Sequence, residues 1–282
     1  MKLPPQVRAV ITGSGSGLGR ELAVQLARRA ARLIIADVHA VRAEETVALV
    51  RAAGGTATAL ACDVTRPEDL EAAALEAERL YGGVDLVVNN AGVAGAGMVG
   101  DMPLKDWEWM LRVNLWGVIH GCHTFVPRLK AQGHGFILNV SSCAAFASLP
   151  EMAAYNTSKA AVVALTETLF AELASTKVQV TALCPTFFKT NLMESFRSPS
   201  DRQRKVARGM FEASTMTVEQ VAAIALRDLE NGRLISLPQL DASWVWRVKR
   251  WFPWLYHRVL RWGQRRDLAM KRFGSGTVRS PD

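Results

Sequence analysis

The 282 residues carry 34 Lys/Arg against 26 Asp/Glu, and 49% of them are apolar. A chain of this size and composition buries a large core, which excludes a disordered protein, and no stretch reaches the roughly 18 uncharged apolar residues of a membrane span. The basic excess is not spread evenly: residues 244–282 hold ten Lys/Arg and two Asp/Glu, while residues 1–243 hold 24 of each sign. The neutral body therefore predicts no nucleic-acid-binding surface, and any anionic partner is to be sought at the C-terminus.

Met1-Lys2-Leu3-Pro4-Pro5 runs directly into the first strand candidate, which predicts a cytoplasmic protein without a secretory leader. Short β-branched apolar runs then alternate with longer segments of helical period. Strands are predicted at 7–12, 32–37, 57–62, 84–89, 135–140, 178–184 and 233–237, and helices at 17–30, 40–53, 67–80, 104–131, 151–175 and 217–231. The alternation predicts an α/β fold: a Rossmann-like, doubly wound parallel sheet of seven strands flanked by helices on both faces. Thr65, followed by Pro67 and Glu68, predicts a capped helix start behind the third strand. Cys62, Cys122, Cys143 and Cys184 have no metal or redox spacing and read as buried thiols in a reducing compartment.

The first strand runs into Thr12-Gly13-Ser14-Gly15-Ser16-Gly17-Leu18-Gly19 and then a helix. Glycines there let the backbone approach a pyrophosphate, and the helix N-terminus supplies oriented amides and a positive dipole end. Asp37 closes the second strand 18 residues after Gly19. A carboxylate there accepts hydrogen bonds from ribose hydroxyls and repels a 2′-phosphate, which favours NAD over NADP; His39 and Arg42 lie near enough in sequence to soften that preference. Further along, Ser142 closes the fifth strand, and Tyr155 and Lys159 share a helix face at i, i+4. A free tyrosine titrates near about 10, and an adjacent ammonium favours phenolate, so the spacing predicts a lowered phenol pKa and a usable general acid/base. The Ser142 hydroxyl is placed to hydrogen-bond a substrate oxygen beside the tyrosine.

With these residues in this order, the chain resembles the short-chain dehydrogenase/reductase family in its single-domain branch. The family's Thr-Gly-x-x-x-Gly-x-Gly pattern is met by Thr12, Gly13, Gly17 and Gly19, and Asp63-Val64 matches its adenine-contacting pair. Asn89-Asn90-Ala91-Gly92 is its most recognisable short signature, Asn114 falls at its catalytic asparagine, and Ser142, Tyr155 and Lys159 complete the tetrad. The resemblance implies an enzyme acting on CH–OH groups, with cofactor-binding positions at Gly13, Ser16, Gly17, Leu18, Gly19, Asp37, Asp63, Val64, Asn90, Ala91, Gly92, Tyr155, Lys159, Pro185 and Thr190. It also implies that Lys159 holds the nicotinamide ribose and that Asn114 holds a water linking Lys159 to solvent. A homodimer or homotetramer built on the helices at 104–131 and 151–175 is implied as well. One departure is visible: where the family commonly has Pro-Gly-x-x-x-Thr, this chain has Pro185-Thr186 and then Thr190, and the β-branched Thr186 narrows the backbone angles near the carboxamide.

Residues 186–216 follow a strand on the ligand side with little periodicity and predict a mobile substrate lid, with Phe187 and Phe188 as an apolar wall or as core. The catalytic domain is thus expected over 1–240, and 241–282 forms a tail. Residues 244–266 hold five of the eight tryptophans, seven basic residues and no acid. Trp244, Val248, Trp251, Phe252, Leu255, Val259 and Trp262 recur at helical spacing, with Arg247, Arg250, Arg258, Arg261 and Arg265 mostly on another face and Pro253 predicting a break near residue 252. Two readings stay open: peripheral contact with an anionic membrane at its inner surface, or packing against the body or a second subunit. The substrate is expected to be a small-molecule alcohol or carbonyl compound, apolar or lipid-like if the tail touches membrane. Two other functions stay in view, a non-catalytic NAD-binding scaffold and an NADPH-dependent reductase of acyl thioester or keto intermediates. In the latter, Arg197, Arg202, Arg204 and Lys205 would meet an acidic carrier. His120 and His123 stand at i, i+3 without a third ligand, so no metal site is predicted.

Overall fold

A computed structural model describes the backbone of residues 1–274 and the side chains to residue 266. The end of the predicted tail, 275–282, lies outside the described residues. The strands are β1 (Arg8–Thr12), β2 (Arg32–Asp37), β3 (Thr56–Ala61), β4 (Leu86–Asn89), β5 (His134–Val140), β6 (Lys177–Leu183) and β7 (Ile235–Ser236). They form one sheet in the order β3-β2-β1-β4-β5-β6-β7, every pair parallel. Strand order reverses between β1 and β4, and the carboxyl ends open a crevice there.

Parallel strands are covered on both faces, so their apolar runs supply two cores. Ile11, Leu33, Ile35, Leu86 and Val88 pack against α1 (Gly17–Ala27), α2 (Ala40–Ala52) and α9 (Val218–Glu230). Val10, Ile34, Val87 and Ile137 pack against α3 (Pro67–Tyr81), α5 (Gly117–Gln132) and α7 (Ala153–Glu172). All seven predicted strands and the six predicted helices form, with shifted ends.

Four departures have physical reasons. The helix expected over 104–131 is divided: α4 (Leu104–Leu111) passes through a π-helical turn, Arg112–Trp116, into α5. A π turn widens the helix by one residue and recurs at functional sites; this one contains the wholly buried Asn114. The start of α3 is not capped by Thr65: Arg66 is the N-cap, with no side-chain bond, and Pro67 opens the helix. Thr65 instead gives its backbone N–H to Asp63 Oδ1 at 2.9 Å. The segment 186–216 contains a helix, α8 (Asp201–Glu212), whose largely polar sequence hid its period. A one-turn helix, α6 (Ala144–Ala147), follows β5.

The tail forms two helices, α10 (Leu240–Trp251) and α11 (Pro253–Gly274). Phe252 leaves helical geometry (φ −131°, ψ 60°) and Pro253 begins the next helix, as its lack of an N–H and its fixed φ dictate. Tyr256 donates its hydroxyl to Ala147 O at 2.5 Å and Lys249 donates to Ser148 Oγ at 3.0 Å, holding both helices against the segment after β5.

Candidate active site

A cleft of about 1200 Å³ runs along the carboxyl ends of the strands. Its cofactor side is lined by Gly13, Ser16, Gly17, Leu18, Asp37, Asp63, Val64, Asn90, Ala91, Gly92, Pro185 and Thr190, with Ser142, Tyr155 and Lys159 at its centre. Gly19 and Asn114, alone among the predicted site residues, are absent from this wall and sit behind it. Gly19 supports the turn: a Cβ there would stand 2.5 Å from both Asn90 Nδ2 and Gly13 O.

Buried hydrogen bonds fix the glycine-rich turn. Asn90 Nδ2 donates to Thr12 O (2.8 Å) and Gly13 O (2.9 Å), and Thr12 Oγ1 accepts from the N–H groups of Asn90 (3.0 Å) and Ala91 (3.2 Å). Gly13 has φ +61°, and a Cβ would meet Ala91 Cα at 2.7 Å, so only glycine allows the two turns to touch. From below, Arg20 donates to Gly15 O and pairs with Glu45 at 2.8 Å. Asp37 Oδ2 accepts from Gly15 N–H and Oδ1 from His39 N–H, both at 2.8 Å, leaving each oxygen a free lone-pair direction on the cleft.

This lining fits a dinucleotide. The first turn of α1 holds no acid, and its leading amides have no intrahelical partner. Gly17 faces Thr190 across a gap in which an added Cβ would meet nothing nearer than 3.6 Å. Arg42, on the helix that follows Asp37, pairs with Glu194 at 2.8 Å. His120, the first histidine of the i, i+3 pair, is engaged by its Nδ1 with Val64 O at 2.9 Å.

At the centre, Ser142 Oγ donates to Pro185 O (3.4 Å) and accepts from Ala144 N–H (3.2 Å). Lys159 Nζ donates to Val140 O at 2.9 Å and stands 5.9 Å from the Tyr155 ring centroid. Burial pushes the Tyr155 phenol up to about 12, against a Ser142 hydrogen bond that pulls it down. This reverses the lowering expected from the i, i+4 lysine. The physical reason is that the ammonium is committed to Val140 O and is itself disfavoured by burial, which brings Lys159 down to about 8. Asn114 Oδ1 accepts from Val93 N–H (2.8 Å), and its Nδ2 donates to Val93 O (2.9 Å) and Ser158 Oγ (3.2 Å). The amide thus ties the turn after β4 to α7, one donation going to each. Gly92 leaves a gap between the two polar groups: a Cβ there would lie 3.3 Å from Asn114 Oδ1 and 3.6 Å from Lys159 Nζ.

The substrate side is apolar, lined by Leu149, Met152, Phe187, Phe196, Met210 and Phe211. Phe187 meets Phe211 edge-on at 5.2 Å, while Phe188 belongs chiefly to the core. Phe196 packs with Ala94, Ala96 and Tyr155. Ion pairs hold the segment 186–216 to the body: Arg42–Glu194, Arg197–Asp106 at 2.9 Å and Arg202–Glu151 at 2.7 Å, with Arg197 also stacked 3.8 Å from the Trp109 ring. Burial raises Cys62, Cys122, Cys143 and Cys184 each to about 12, which keeps them as inert thiols.

Sequence reasoning missed several contributors. Ser141 donates to Lys159 O at 2.8 Å and so fixes the turn of α7 that carries the lysine. Ser158 and the backbone of Val93 hold Asn114, and Thr12 bridges the glycine turn to the strand beside it. Thr12 opens the recognised glycine pattern, though its bridging role went unread, and Ser141 adjoins Ser142, which was a usable signal; Val93 acts through its backbone and left none.

The model of the short chain dehydrogenase family matches residues 7–201. Among curated proteins, the "Probable oxidoreductase EphD" of Mycobacterium tuberculosis is 40% identical over 199 residues, 70% of this chain and 34% of its own length. The chain therefore spans about a third of that relative. A D-beta-hydroxybutyrate dehydrogenase of Rhizobium meliloti is 32% identical, covering 77% of this chain and 89% of its own. The 7alpha-hydroxysteroid dehydrogenase of Escherichia coli is also 32% identical, covering 70% and 76%. Among solved structures, a short chain dehydrogenase/reductase of Burkholderia phymatum in complex with NAD superposes with a TM-score of 0.84 at 30% identity, covering 89% of this chain and 94% of its own.

Proposed function

Because the chain belongs to the short-chain dehydrogenase family, whose members are oxidoreductases using NAD(P), we propose that it interconverts an apolar, lipid-like alcohol and the matching carbonyl compound with NAD. The observation that carries this reading is the Tyr155 phenol, buried beside Ser142 and Lys159 where a dinucleotide-shaped lining meets an apolar chamber. The relatives' names do not choose the substrate, since one denotes a small hydroxy acid and another a steroid. The chamber's aromatic and aliphatic walls favour the apolar choice.

In this reading Gly13, Ser16, Gly17, Leu18 and Gly19 hold the pyrophosphate, Asp37 the adenosine ribose, and Asp63 and Val64 the adenine. Asn90, Ala91 and Gly92 shape the floor, Pro185 and Thr190 hold the carboxamide, and Lys159 binds the nicotinamide ribose. When bound, the nicotinamide donates or accepts the hydride, and its oxidised form adds a positive charge beside the phenol. Ser142 fixes the substrate oxygen by a hydrogen bond. In reduction Tyr155 gives its proton to that oxygen; a phenol raised to about 12 is fully protonated at neutral pH and suits this step. In oxidation the same atoms run backwards. A water in the gap beside Gly92 connects Lys159 to solvent, and Asn114 positions it through Oδ1.

NAD is favoured over NADP because the Asp37 carboxylate faces the cleft while the Arg42 guanidinium is neutralised by Glu194. The acyl-carrier alternative loses support because Arg197 and Arg202 are tied to Asp106 and Glu151. The reading divides the chain into a catalytic domain over 1–240, closed by the lid 186–216, and a tail that serves location: a cytoplasmic protein in peripheral contact with the inner membrane surface. Exposed Trp116, at the π turn that leads into α5, and Phe170 on α7 support a homodimer or homotetramer through those helices. The test is a turnover screen with NAD, NADH and their phosphorylated forms over alcohols and ketones of graded chain length. We expect kcat/KM to rise with chain length and to favour NAD; a flat or falling series overturns the apolar assignment.

A further inference from the structure

The tail rests a narrow stripe on the body and leaves its arginines and most of its large aromatic side chains on solvent. Tyr256, Leu260 and Gln264, one turn apart on α11, are the half-buried positions, and Gln264 reaches the rim of the cleft. The opposite side presents Trp244, Trp251, Phe252, Trp254, Val259 and Trp262, each more than half exposed. Large apolar side chains gathered on one surface mark an interaction site. The same two helices carry seven cations and no acid between residues 244 and 266. Among the described residues none of these seven cations forms an ion pair; Arg250 and Arg266 lie over the neighbouring rings of Trp246 and Trp262 instead, at 5.3 and 4.7 Å.

We propose that this face seats the protein peripherally on an anionic lipid surface, indoles at the headgroup level and arginines on lipid phosphates. An interfacial helix needs both an apolar face and a cationic one, and no helix among the described residues is long and apolar enough to cross a membrane. A second copy is the weaker occupant: an isologous pairing would bring seven cations against seven, with no acid on either side. A nucleic acid would satisfy the arginines but leave much of the aromatic stripe in water. Because α10 and α11 lie against Ala147 and Ser148, directly before the chamber residue Leu149, the seated face holds the cleft beside the lipid, about one helix diameter away. That last consequence rests on the apolar-substrate reading; the seat itself rests on the tail alone.

The test is co-sedimentation of the full chain with vesicles of phosphatidylcholine alone and of equal parts phosphatidylcholine and phosphatidylglycerol. We expect pelleting with the anionic vesicles only, a blue shift of tryptophan emission, and release in molar salt. A surface arginine contributes about 1 kcal/mol near such a membrane, or about fivefold, so combined Arg247→Gln, Arg258→Gln and Arg261→Gln lowers the partition coefficient about a hundredfold. Trp254→Ala with Trp262→Ala also weakens binding, while turnover of a short water-soluble alcohol stays unchanged in both variants and shows them folded. Equal pelleting with the two vesicle types, or unchanged pelleting of the arginine variant, overturns the proposal. So does absence of vesicle binding together with a tail-dependent dimer in sedimentation velocity or tail-dependent retention of a single-stranded oligonucleotide. None of these readouts uses turnover of an apolar substrate, so failure of the seat and failure of the substrate reading are separable.

Discussion

At the scale of single residues, Tyr155 and Lys159 are each held in a protonation state that burial sets. Tyr155→Phe removes the transferable proton and leaves the ring in place. We expect a loss of about 10²- to 10⁴-fold in kcat with NAD affinity unchanged, read by steady-state kinetics beside calorimetric titration. Residual activity within about tenfold of wild type rejects the role. Lys159 carries a cost: between pH 8 and 10.5 the unfolded chain keeps a proton on this lysine that the folded one has shed. Stability from this group therefore rises with pH across that window and is lowest, and constant, below it. Lys159→Met removes the buried charge, so the variant melts higher than wild type at pH 7, the difference shrinking from pH 8 to 10.5, while turnover is lost. A variant that melts lower at pH 7 shows that the bond to Val140 O outweighs the desolvation.

Among the elements, the closest approach is that of α5 to β4. A Cβ at Gly121 would stand 2.0 Å from Asn89 Oδ1, and Asn89 cannot retreat without breaking its 2.8 Å bond to Asn139. Gly121→Ala is expected to destabilise by about 1–3 kcal/mol, seen as a lower denaturant midpoint with an unchanged slope. Nothing in the sequence marked Gly121, because the contact is made by Asn89, on a strand far back in the chain. The strands were legible because doubly buried parallel strands are plain apolar runs, as Val10-Ile11 and Leu33-Ile34-Ile35 are. So was the gathering of Ser142, Tyr155 and Lys159 in one cleft, since these motif residues keep fixed spacings. What stayed hidden was long-range or lacked a period: the helix α8, held by Arg202 on Glu151 rather than by an apolar stripe, and the desolvation that raises Tyr155 despite its lysine.

For the whole molecule, a bound dinucleotide would join the two halves of the sheet across the β1–β4 switch, and ligand that binds only the folded state raises its stability. At about a hundredfold excess over Kd the gain is about 2.7 kcal/mol, or roughly 5 °C for a chain of this length. We expect NAD to give such a rise in differential scanning fluorimetry and NADP to give less, with Asp37→Ser removing the difference; an equal rise from both in the wild type overturns the preference. The wide turn at Arg112–Trp116 has a consequence for how this layer tolerates change. Upstream, Met110 is buried; downstream, Gly117, Val118, Gly121, Cys122 and Phe125 face the sheet; Asn114 stands between them. A π turn absorbs one extra residue while its flanks keep their faces, so deleting one residue there would restore ordinary α-helical winding with Met110 and Phe125 still on the core. The packing of the layer would survive that deletion while Asn114 would leave Val93, so the fold and the placement of Asn114 are separable by a single residue.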